Sequence, residues 1–184
     1  ADWMAESNQS VLQFGRQLGT PGDVDDDGYD EVVIGSTLYD MGQSDEGAVF
    51  VWRGSSTGIN AGANGTPANA WWRAESNGTG YAFGSLTGTP ADINMDDYAD
   101  IVAGCTLGMP GIYVWFGSET GLGDAGTLVN ADWSVSAPST TEYFGALFGW
   151  LSGSPGDVNG DGVDDVATAA YDYQKTAVSS GPGF

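Results

Sequence analysis

The 184-residue chain has no histidine, one cysteine and only four basic residues, and each shortage narrows what it can do. Without histidine the commonest general base is missing, so Ser-His-Asp and Cys-His chemistry and His-ligated zinc are excluded within the chain. Cys105 alone leaves no intrachain disulfide, which neither fixes nor excludes an oxidising compartment. Four Lys and Arg stand against 25 Asp and Glu, a formal charge of −21. Neutralising a phosphate backbone needs cations in number, so nucleic acid is excluded as a partner and an anionic membrane surface is disfavoured. No apolar run reaches the about 18 residues that would span a bilayer, so membrane insertion is not expected. No window sustains an apolar period of 3.6 residues either, and helices are not expected.

Turn formers and aromatics are plentiful instead: 30 glycines, seven prolines and 12% Phe, Trp and Tyr. That composition suits many short strands joined by tight turns, an all-β chain long enough to bury a sizeable core. The acid is concentrated as well. Residues 22–35 read GDVDDDGYDEVVIG, residues 91–104 ADINMDDYADIVAG and residues 156–168 GDVNGDGVDDVAT. These loops begin 69 residues apart (Asp23 to Asp92) and then 65 apart (Asp92 to Asp157). Oxygen side chains at alternate positions of a short turn can point at one hard cation, and calcium takes six to eight oxygens. Crowded carboxylates repel one another, and a cation removes that cost. Three divalent ions would bring −21 to −15 (−21 + 6).

Other features keep the same period, which marks a repeat architecture. Phe14-Gly15, Phe83-Gly84 and Phe148-Gly149 each precede the first aspartate of a loop by nine residues (14 to 23, 83 to 92, 148 to 157). Phe144-Gly145 instead keeps the distance from Trp133 that Phe83 keeps from Trp72, so the third copy carries a four-residue insertion. Residues 51–59, VWRGSSTGI, match residues 114–122, VWFGSETGL. Ala1-Asp2-Trp3, Ala70-Trp71-Trp72 and Ala131-Asp132-Trp133 recur likewise. Strands are expected over 11–18, 31–37, 47–53 and 71–74, then over 81–87, 100–106, 111–116 and 133–135, with a third set begun at 165–170. A repeated four-stranded antiparallel sheet of this length is the signature of a β-propeller blade. The units are taken as 1–68, 69–130 and an incomplete 131–184, about two and two-thirds blades, where a closed propeller has about four to eight. Bare blade faces and open edges are a liability. The rest of a longer chain, or other copies of this one, is therefore expected to complete the wheel.

These motifs resemble FG-GAP repeats, the units of integrin α-subunit β-propellers and of many bacterial surface proteins. The resemblance covers nearly the whole chain. It implies calcium in the loop between the first two strands of each blade, held by side chains at loop positions one, three, five and nine and by the carbonyl at position seven. The implied ligands are Asp23, Asp25, Asp27, Tyr29 (carbonyl) and Glu31; Asp92, Asn94, Asp96, Tyr98 (carbonyl) and Asp100; and Asp157, Asn159, Asp161, Val163 (carbonyl) and Asp165, up to three Ca2+ sites. Only the third set meets the consensus D-x-[DN]-x-[DN]-G-x-x-D in full. Glu31 is one methylene longer than the usual aspartate and is expected to shift the coordination. Asp97 replaces the position-six glycine, where a left-handed backbone is expected.

EF-hands are excluded, because they need an acid at position 12 where Ile34, Ala103 and Thr168 stand. The recurring Trp52 and Trp115 are expected to pack between blades, whereas Trp71 and Trp150, which do not recur, are candidates for ligand stacking. Cys105 reads as a small buried residue. A catalytic reading would need a base in a cleft, and only Arg16, Arg53, Arg73 and Lys175 are available. The expected function is a non-enzymatic, extracellular or cell-surface calcium-binding propeller segment for recognition, adhesion or assembly, with a protein or glycan ligand. The alternatives are a carbohydrate-binding or polysaccharide lyase-like propeller and a polymer-forming surface protein.

Overall fold

The computed structural model describes residues 2–10, 13–86, 91–137 and 148–170. The features expected at 11–12, 144–145 and 171–173, together with Lys175, lie outside these, as does the side chain of Trp150. The architecture is all-β, in antiparallel sheets of the β-propeller blade kind. The first sheet is formed by β1 (Gln17–Gly19), β2 (Val32–Ser36), β3 (Ala48–Trp52) and β4 (Trp72–Glu75), in that order. The second is formed by β5 (Phe83–Leu86), β6 (Ile101–Cys105), β7 (Gly111–Trp115) and β9 (Trp133–Ser136). A third pairs β10 (Phe148–Gly156) with β11 (Asp165–Ala170). The two-residue β8 (Gly126–Thr127) adds to the outer edge of β4 in parallel.

One strand starts later than its sequence suggests. Residues 13–16 form a turn, with Arg16 N–H donating to the Gln13 carbonyl at 3.1 Å and Gly15 at φ 76°, so β1 begins only at Gln17. In the third unit Phe148 pairs with Ala170, the register that Phe83 keeps with Cys105. The insertion therefore falls between Trp133 and Phe148.

The central strands are buried on both faces because the sheets stack one on another. From β3, Val49 and Val51 enter a core shared with Ile101, Tyr113 and Trp115 of the second sheet. Phe50 and Trp52 point the other way, into a cluster with Trp3 and Phe14. From β7, Ile112 and Val114 face a third cluster that includes Val166 of β11. The recurring tryptophans do what their register promised. Trp115 meets Trp72 edge-on at 5.5 Å and Trp52 meets Trp3 at 5.7 Å, and their indole N–H groups donate to Asn130 and Asn69. The Phe-Gly pair is equally explicable. Phe83 is fully buried against Trp115, and a Cβ on Gly84 (φ 99°) would stand 2.5 Å from the Ala48 carbonyl oxygen of the preceding sheet.

Sequence units and sheets are out of step. Units cut at 69 and 131 each begin with the strand, β4 or β9, that completes the preceding sheet. Residues 3–6 sit in the same relation to unit one: Ala5 bridges Gly65 in parallel as Ala74 pairs Gly126, and Trp3 Nε1 donates to the Ala63 carbonyl as Trp72 Nε1 does to that of Asp124.

Candidate metal centre

The three acidic loops share one winding. The carboxylate at position one accepts the N–H groups of positions five and six: Asp23 from Asp27 and Gly28, Asp92 from Asp96 and Asp97, Asp157 from Asp161 and Gly162, at 2.8–3.1 Å. The position-five carboxylate then accepts the position-seven N–H, from Tyr29, Tyr98 and Val163 in turn. Two residues per loop must adopt positive φ for this winding. Position six carries Gly28 (88°), Asp97 (70°) and Gly162 (91°), as expected; position four carries Asp26 (54°), Met95 (62°) and Gly160 (79°). The position-four requirement escapes the consensus, and Met95 meets it at a conformational cost of about 1 kcal/mol.

Position nine ties the loop to the sheet. Glu31, fully buried, accepts the Val24 N–H through Oε2 at 2.7 Å and the Gly54 N–H through Oε1 at 3.4 Å. Asp100 makes the same two bonds, to Ile93 and Gly117, at 2.7 and 2.9 Å. The extra methylene of Glu31 is thus absorbed without loss of either bond. In the third loop Asp165 accepts the Val158 N–H at 2.8 Å. Burial pushes the carboxyl of Glu31 up to about 7 and that of Asp100 up to about 6. Gly54 and Gly117 were visible in the sequence only as a recurring Gly-Ser. Their role is a close approach: a Cβ on Gly117 would lie 2.4 Å from the Ala99 carbonyl oxygen, and one on Gly54 2.5 Å from that of Asp30.

In the first loop Asp23, Asp25 and Asp27 each offer an oxygen within 4.8 Å of the others. Asp25 is 7% exposed, its Oδ2 pairs with Arg53, and its Oδ1 is buried without a hydrogen-bond partner. A buried, unsatisfied carboxylate oxygen beside two further carboxylates suits a hard divalent cation. The loops are also linked across units: the Asp23 and Val24 carbonyls accept from Ala99 and Ser118, and Asp92 N–H donates to Asp164 at 3.3 Å. Trp71, a candidate stacking platform, is half-buried, with the Arg53 guanidinium over its ring and Gly121 against its edge. Cys105 is buried, as expected, and its thiol is pushed up to about 12 by that burial.

Stacked four-stranded sheets with an acidic loop between the first two strands define a blade-repeat protein, and comparison with known proteins gives the family. The FG-GAP repeat model matches residues 14–52 and 149–181, so the chain carries FG-GAP repeats of the integrin-α-like kind. It is 30% identical to integrin alpha-PS2 of Drosophila melanogaster over 173 residues, 86% of this chain and 11% of the relative. It is 30% identical to integrin alpha-PS5 of the same organism over 152 residues, 80% of this chain and 14% of the relative. Integrin alpha-8 of Gallus gallus matches at 28% over 92 residues, 50% of this chain and 8% of the relative. The chain thus spans about a tenth of the length of these relatives, none of which is an enzyme.

Proposed function

We propose that this chain is a calcium-binding segment of an FG-GAP β-propeller that works outside the cell or at its surface, in recognition or adhesion. Calcium is structural in this reading. It is held at positions one, three, five, seven (carbonyl) and nine of each loop, by the residues named above, in up to three sites. The ion stiffens a turn whose carboxylates otherwise repel, so metal binding and folding are coupled. The repeat units 1–68, 69–130 and 131–184 supply successive blades, each blade taking an outer strand from the start of the following unit, and further blades come from the remainder of a longer chain or from other copies. The observation that carries the reading is Asp25, whose buried, unpartnered Oδ1 stands within a cluster of three carboxylates. A likeness to integrin α subunits favours adhesion over carbohydrate processing.

Thermal unfolding tests it directly. Addition of a chelator should lower the melting temperature by about ten degrees or more, and excess calcium should restore it; at a hundredfold excess over Kd, one site alone stabilises by about 2.7 kcal/mol. A melting curve indifferent to both would overturn the proposal.

A further inference from the structure

At positions one, three, five and nine loop one carries one charge more than its fellows, and the chain places one opposite charge against it. Position three is Asp25 in loop one but Asn94 and Asn159 in the others. The residue after the recurring Val-Trp pair is Arg53 in unit one but Phe116 in unit two. Over positions one, three, five and nine, loop one has four carboxylates (Asp23, Asp25, Asp27, Glu31) and with Arg53 sums to −3 (−4 + 1). Loop two (Asp92, Asp96, Asp100) and loop three (Asp157, Asp161, Asp165) each sum to −3 without help.

Geometry gives that arithmetic a mechanism. The Arg53 guanidinium pairs with Asp25, whose side chain is 3% exposed, while its Cζ lies 4.2 Å from the centroid of the Trp71 ring. Arg53 Nε is itself buried without a partner, yet the side chain as a whole is 40% exposed. It therefore has room to swing outward along the cleft that it lines with Asp27 and Trp71. Arg53 holds Oδ2 alone, and its positive charge beside the open Oδ1 opposes the approach of a second cation.

We infer that Arg53 is a built-in cation that competes with the divalent ion for Asp25, so that it sets the metal affinity of loop one and reports its occupancy through Trp71. When the ion takes Asp25, Arg53 gives up the ion pair and swings outward along the cleft, so that its contact with the Trp71 indole changes. Loop one then binds no more tightly than the other loops, despite having the most carboxylates at its ligand positions. This rests on the calcium reading above.

Calcium titration of the full chain by calorimetry, with indole fluorescence recorded in parallel, tests it. Arg53→Phe, the residue of unit two, should tighten one site by about two- to fivefold, the scale of a partly exposed charge pair, and leave the others unchanged. Arg53→Gln should move the same site in the same direction and serves if the phenylalanine variant does not fold. Asp25→Asn with Arg53 retained should weaken that site, while the double change Asp25→Asn/Arg53→Phe should return it to within about threefold of the starting value, because charge is again balanced. The calcium-dependent fluorescence change should disappear in Trp71→Phe. Unchanged or weaker binding at one site in both Arg53 variants, with the other sites still filling, would overturn the inference alone. Absence of calcium binding at every loop would remove the metal reading and the inference together.

Discussion

Trp72 and Trp133 occupy equivalent positions on equivalent strands and live in opposite surroundings. Trp72, on β4, is 5% exposed because the β7–β9 connection of the second sheet lies along its edge, Gly126–Thr127 pairing with β4 and the Asp124 carbonyl accepting its indole N–H. Trp133, on β9, is 41% exposed, and no described strand pairs with that outer edge. The sequence writes the same residue twice; its burial depends on what the following sheet supplies. A blade here is finished from outside, by a two-residue strand too short to register as an element on its own.

The sharpest break of that comparison is to truncate both rings. Trp72→Ala should cost about 3–5 kcal/mol in denaturant unfolding, as a large buried side chain in a two-sheet core, and Trp133→Ala less than about 1 kcal/mol. Equal costs would mean that β9 is covered in solution. The next largest effect should come from Gly126→Val. A Cβ there meets the Trp72 ring at 2.6 Å and Ala74 at 2.7 Å, so the edge strand must lift, at about 1–3 kcal/mol. Indole emission of that variant should shift to the red as Trp72 gains exposure.

A third effect concerns pH and the two sheet-tied loops in the absence of metal. Glu31 moves from its ordinary 4.5 up to about 7 and Asp100 from 3.8 up to about 6, both chiefly through burial. Folded chain then binds protons more tightly than unfolded chain. The stability this contributes is complete below pH 4.5 for Glu31 and 3.8 for Asp100, and is lost as pH rises through about 7 and 6. In chelator, the melting temperature should therefore be lower at pH 8 than at pH 5. A metal-free profile that rises over this range would show that both groups are already ionised in the fold.

Much of this was legible from spacing. The acidic loops, the strands flanking them and the inter-blade Trp residues follow from features that repeat in register, and repetition substitutes for a long-range contact map. What was not legible depends on contacts between distant segments. The pairing of β8 with β4 joins residues 126 and 74, and nothing local in Gly-Thr announces a strand. The position-nine carboxylate reads as a metal ligand alone, yet Glu31 and Asp100 also hold the backbone of a glycine 23 and 17 residues onward. Glu31 was expected to shift the coordination because it is longer; its two backbone bonds match those of Asp100, the one to Gly54 being longer at 3.4 Å. Left-handed position four is invisible in a pattern that scores only charges and position six, since Asp26, Met95 and Gly160 share no chemistry.

That each sequence unit opens with the strand that completes its predecessor bears on how such a chain can grow. Duplicating any stretch of one full period, wherever the cut falls, leaves every new strand beside a partner in the familiar register. Deleting less than a period instead injures two neighbouring sheets at once. Unequal exchange between repeats is thereby tolerated at any phase, and the seam between blades need not coincide with the seam between copies.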